Sequence, residues 1–144
     1  MYAIKQDIID RYSEDLLWII ALLPADEEIV GREVDQIDDT AIDRALSGAA
    51  NEIDTYINAR YEMPLATVPP ILIDCCVDIA IYNLATGPEL TDDMKERYKN
   101  RIALLTRISK GTSDLGLPKA QKPAPSGGAG VVQEGRGDFQ SFNP

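Results

Sequence analysis

Between Ile42 and Ile57 the apolar residues Ile42, Ala45, Leu46, Ala49, Ile53, Tyr56 and Ile57 recur at intervals of three and four. That repeat lines one side of a 3.6-residue turn and cannot line one face of a strand. A helix with one apolar stripe needs other elements to cover it. The remaining periodic segments are helical as well. The corner INARYEMPLATVPP, residues 57–70, leads into residues 71–85, the most apolar segment, with Pro69 and Pro70 at its start, where a missing amide hydrogen is no loss. Thr91 stands ahead of Asp92 and Asp93 as an N-cap, and Met94, Tyr98, Ile102, Leu105 and Ile108 mark the core face of a last helix that Gly111 stops. Before the long helix, residues 5–12 carry Ile8, Ile9 and Tyr12 on one side. Ser13 then caps a second short helix, apolar nearly all round with Leu16, Leu17, Trp18, Ile19, Ile20 and Leu22, which is to be buried or docked on a partner. The expectation is an all-α fold, a small helical bundle of about four to five helices.

Local signals refine this. Asp39 or Thr40 is placed to cap the long helix, with Asp43 answering Thr40 in a capping box. Ala45, Ala49 and Ala50 around Gly48 allow another helix to approach closely. In the corner, Tyr61 closes one helix, Pro64 prevents its continuation, and Leu65 and Val68 can fold back on the bundle. Residues 25–38 form a polar, acidic connection in which the alternation of residues 28–34 supports a short extended hairpin.

A chain of 144 residues is one domain's worth. Composition places a helical domain at residues 1–111 and an extended, linker-like arm at residues 112–144, because residues 119–130 (KAQKPAPSGGAG) cannot pack a core. Both phenylalanines of the protein, Phe139 and Phe142, lie near the end of that arm. They suit either an anchor for a partner's groove or a frayed terminus.

Several functions are disfavoured by residue type. The longest apolar run, residues 16–23, is well short of the roughly 20 residues that span a bilayer. The start of the chain alternates charge with apolar residues, unlike a secretory signal, so a reducing cytosol is expected. Cys75 and Cys76 diverge by about 100° on a helix and read as core filler. The absence of histidine excludes Cys/His zinc sites and histidine triads. The acids of residues 26–39 lack the spacing of a calcium loop and read as a solvated segment. Asp74 and Asp78 lie one turn apart, but no base or nucleophile converges on them at readable spacing, so they read as a solvated or interface stripe. No catalytic residue, cofactor or metal is expected, and the chain reads as a non-enzyme. The net charge is −10, and after Gly111 acids and bases balance, so the whole excess sits on residues 1–111. Such a surface repels phosphates and disfavours DNA binding. The basic residues between Lys95 and Lys110 complement acidic neighbours or another copy of the chain.

Tyr2, then DIIDRY at residues 7–12, AANEIDTYINARY at 49–61, Pro64-Leu65, Val68-Pro69 and DIAIY at 78–82 together resemble the Mu-like family of tailed-phage head-tail connector proteins, also called adaptor or head-completion proteins. The resemblance covers residues 1–117, and its most specific part runs without a gap from Glu52 to Pro69. The family often has Thr where this chain has Ile4, and an arginine where it has Asn83.

The resemblance implies a structural virion protein, a head-tail connector subunit in a head-to-tail ring, a dodecamer by that resemblance, whose partners are the portal on one side and the tail or a stopper or tail-terminator protein on the other. Such a ring is assembled in the host cytoplasm and resides in the neck of the virion, with DNA passing through unbound. The apolar second helix, with Trp18, would be a partner surface there. The segment from Leu115 and Leu117 through Phe139 and Phe142 would grip the portal or neighbouring copies. Arg60, which packing does not explain, is expected in a salt bridge to an acidic group of its own subunit or of the next copy. The rival reading is a small acidic helical regulator that occupies a DNA-binding protein as a phosphate mimic.

Overall fold

The computed structural model describes residues 1–22 and 36–120. Among these residues five α-helices follow in order: α1 (Lys5–Arg11), α2 (Glu14–Ile20), α3 (Asp39–Ile57), α4 (Pro70–Leu84) and α5 (Asp92–Lys110), with one turn of 3-10 helix at Gly87–Glu89. Among the described residues extended pairing is limited to isolated antiparallel bridges, Leu22 with Ile37 and Tyr61 with Lys119. The molecule is the small all-α bundle that the periodicities predict.

α4 is the central helix, packed against α1, α3 and α5. It buries Leu72, Cys75, Cys76, Val77, Ile79, Ala80 and Ile81, and so is covered on nearly every side. α3 contributes a single stripe, Ile42, Ala45, Leu46, Ala49, Ala50, Ile53 and Ile57. Each fully buried Leu or Ile here is worth about 1.5–3 kcal/mol of transfer free energy. The alanines of α3 permit close packing, whereas Gly48 is exposed and faces open space.

Ser13 Oγ accepts from the Leu16 amide and Thr91 Oγ1 from the Met94 amide, each at 3.2 Å, as the sequence predicts. α3 is capped differently. Asp38, rather than Asp39 or Thr40, accepts from the Ala41 amide at 2.9 Å. The reason lies outside the helix: the Asp38 amide donates to the Ala21 carbonyl at 2.6 Å, which holds its backbone beside residues 21–22 and leaves its carboxylate over the first turn. At α1, Ile4 has no side-chain acceptor, and the Asp7 carboxylate instead accepts from the Ile4 amide at 2.8 Å.

The chain does not leave the bundle at Gly111. The amides of Thr112 and Ser113 both donate to the Arg107 carbonyl, Leu115 and Leu117 pack against the core, and the Ala120 amide donates to the Arg60 carbonyl at 3.0 Å. Residues 112–120, which composition groups with the arm, are thus a strap laid on the bundle. The hairpin expected within residues 25–38 falls mostly on residues 23–35, and Phe139 and Phe142 fall within 121–144. Both lie outside the described residues.

Candidate functional site

Asp78, only 1% exposed, is the one buried charged residue of the described core. Its Oδ1 accepts from Arg11 Nε at 3.0 Å and from the Tyr12 hydroxyl at 2.6 Å; its Oδ2 accepts from Arg11 Nη2 at 3.1 Å and Arg101 Nε at 2.7 Å. This corrects the reading of Asp74 and Asp78 as a solvated stripe with no basic group nearby. α1 and α5 bring two guanidiniums and a phenol to the middle of α4 from positions far apart in sequence. Asp74 stays at the rim, 3.5 Å from Arg11 Nη1. Burial pushes the Asp78 carboxyl upward, but the bonds from Arg11, Tyr12 and Arg101 outweigh it and hold the group below its ordinary range. Burial and the carboxylate together push the Tyr12 phenol well up. The cluster is an ionic latch joining α1, α4 and α5.

Other tyrosines tie the helices in the same way. Tyr98 stacks on Tyr82 with ring centroids 3.9 Å apart and donates to Glu52 at 3.0 Å, which with burial pushes its phenol up to about 12. Tyr2 donates to Asp54, joining the start of the chain to α3. Arg97 lies over the Tyr12 ring at 5.4 Å from its centroid. Cys75 and Cys76 are free, buried thiols pushed up to about 11 by burial, hence unreactive packing groups. Among the described residues no group of acids and cysteines is arranged to hold a metal ion.

The sequence-predicted interface residues fall in separate places. Trp18 lies on α2, which buries only Leu17 and leaves Trp18 38% and Ile19 63% exposed; Leu22, past its end, is 45% exposed. Arg60, Leu115 and Leu117 gather instead at the corner between α3 and α4. There the Tyr61 hydroxyl, on a nearly fully buried ring, accepts from the Leu115 amide at 2.9 Å and donates to Asp114 at 3.3 Å. Asp114 pairs with Lys119 at 2.9 Å and accepts from the Gly116 amide, and these bonds hold its carboxyl down at about 2.

Arg60 forms no ion pair among the described residues, so the salt bridge expected for it is absent from the described part of its own chain. Its guanidinium lies across Gly111, where a Cβ would come within 2.3 Å of Nη1. Its Nε is buried without a hydrogen-bond partner. The cation sits at the carboxyl end of α5, where positive charge is favoured.

Sequence reasoning missed Asp78 and Tyr61 as organising residues. The single signal for Asp78 was an acid in the most apolar helix, and for Tyr61 an aromatic at a helix end.

Fold and site together define, among the described residues, a small all-α bundle latched by a buried carboxylate, with exposed apolar residues on α2 and a strap after α5. The chain belongs to the family described as "Bacteriophage Mu, Gp36", whose profile matches residues 2–134. It is similar to the "Mu-like prophage FluMu protein gp36" of Haemophilus influenzae, at 34% identity over 117 residues, covering 81% of this chain and 77% of that relative. It is also similar to "Gene product J" of Escherichia phage Mu, at 28% identity over 127 residues, covering 88% of this chain and 84% of that protein. It is a Mu-like phage protein.

Proposed function

We propose that the protein is a structural virion subunit, a head-tail connector that forms a ring of about twelve copies between the portal and the tail of a tailed phage. The carrying observation is the open face of α2. In a folded bundle whose three long helices bury apolar stripes, Trp18 and Ile19 on α2, and Leu22 just past it, remain exposed. Such a face is a liability on an isolated copy and useful in an assembly. Membership of a phage family supports the reading, as does the connector resemblance of residues 1–117.

The subunit acts without a cofactor or metal and catalyses no reaction. Its net charge of −10 suits a channel that lets DNA pass without holding it. Residues 121–144 continue from the strap and reach the portal or a neighbouring copy, and the far side of the ring receives the tail or a stopper protein. The phosphate-mimic reading gains nothing from the structure. Glu52, Asp54, Asp78 and Asp93 are engaged by partners of their own chain rather than spaced along one free face.

Purified protein mixed with purified portal and imaged in negative stain tests the proposal. Rings capping one end of the portal are expected. Portal that never captures the protein at micromolar concentrations of both overturns it.

A further inference from the structure

α2 and α5 carry unlike outer faces. On α2, Asp15, Trp18 and Ile19 follow at helical spacing; Leu22, past the helix end and paired with Ile37, is exposed as well. Glu14 and Asp15 flank it at the amino end, and no basic residue lies on this helix. The face is therefore apolar with an acidic amino end, and the neighbouring Lys5 is already paired with Asp39 at 2.7 Å.

The charges of α5 divide by side. Arg97 and Arg101 turn toward their own chain, bonded to Asp93 and Asp78. On the outer side, Lys99, Ala103 and Arg107 are exposed at intervals of four, with Lys110 one turn further. Lys99, Arg107 and Lys110 form no ion pair among the described residues. The latch thus uses Arg101 and leaves Lys99, Arg107 and Lys110 as a mainly basic outer stripe, with Glu96 at its amino end.

We infer that the α2 face of one copy seats the outer stripe of α5 of the next copy. This rests on the ring reading above and names its two surfaces. Lysine and arginine stems lie on Trp18 and Ile19 while their heads reach Glu14 and Asp15, and Trp18 offers a ring face to a cation. Ala103 leaves room for the indole. Pairing α2 with α2 would bring Glu14 and Asp15 of two copies together, and pairing α5 with α5 would oppose lysines. Complementarity therefore selects a heterologous, head-to-tail contact, the kind that generates rings.

The test uses the full chain with three variants: Ile19→Lys, the pair Lys99→Glu with Arg107→Glu, and all three changes together. Self-association is read by analytical ultracentrifugation and rings by negative stain, with and without purified portal; circular dichroism checks the fold. Ile19→Lys and the α5 pair should each weaken copy-to-copy association about tenfold or more through like-charge contact. The combined variant should restore it, since the new lysine then meets new glutamates. Wild-type association should also fall as salt rises.

Rings undiminished by either set of changes overturn the contact and leave the connector reading standing. Loss of portal binding in Ile19→Lys with no effect of the α5 pair also overturns it, and assigns α2 to the portal. If portal captures no wild-type chain, the connector reading falls, and the contact is judged on self-association without portal. Wild-type protein that never self-associates in either setting overturns both.

Discussion

Asp78 shows how much one buried residue decides. Two guanidiniums and a phenol converge on it from α1 and α5, so its removal leaves cations behind in the interior. Replacing it with Asn should destabilise the protein by about 3 kcal/mol at neutral pH, the low end for breaking a buried pair, because Arg11 and Arg101 keep some contact with water. The pH dependence follows from the direction of the shift. A carboxyl held below its ordinary value of 3.8 contributes stability that is fully present above that value and is lost as pH falls through the lower folded value. Urea unfolding should therefore show a constant gap between wild type and Asp78→Asn from pH 7 to about 4, closing below. A gap that widened on acidification would mean that the carboxylate is not the stabilised form.

Element boundaries follow from chemistry local to them, and this is why most of the fold was legible. Ser13 and Thr91 cap the helices they precede because the signal and the bond lie within three residues. Asp38 takes the place of Asp39 or Thr40 because a contact to Ala21, remote in sequence, chooses among adjacent candidates. The latch was illegible for the same reason: nothing near Asp78 in sequence announces Arg11 or Arg101. The apolar pattern of Trp18 and Ile19 leaves burial and docking on a partner both open, since an all-round apolar helix does not say which side is covered. Gly111 stops α5, and the structure adds a second constraint. Its φ of +82° is left-handed, and Arg60 fills the space that a side chain would need. Gly111→Ala should lower stability by about 1–2 kcal/mol from the backbone alone, measured by thermal unfolding, and more if Arg60 cannot move aside. An unchanged melting temperature would show that both constraints relax freely.

At the scale of the whole molecule the question is where the bundle ends and the arm begins. Composition draws the line at residue 111, but the described contacts run on to Ala120: Leu115 and Leu117 cover the core, and Tyr61 exchanges two hydrogen bonds with the strap. Proline and glycine enrichment marks what cannot pack, yet a pair of leucines without periodicity carries no compositional signal of packing. The two borders make different predictions for truncation. A chain ending at residue 120 should keep the helix content and melting temperature of the full protein, while the proposed connector role predicts weaker capture by portal. A chain ending at residue 111 should lose about 2–4 kcal/mol besides, from uncovering the leucine contacts and leaving the Tyr61 hydroxyl without its partners. In a domain of this size that is a fall in melting temperature on the order of 10 °C or more. Equal melting temperatures for the two truncations would mean that the strap only rests on the bundle, and the border would return to Gly111.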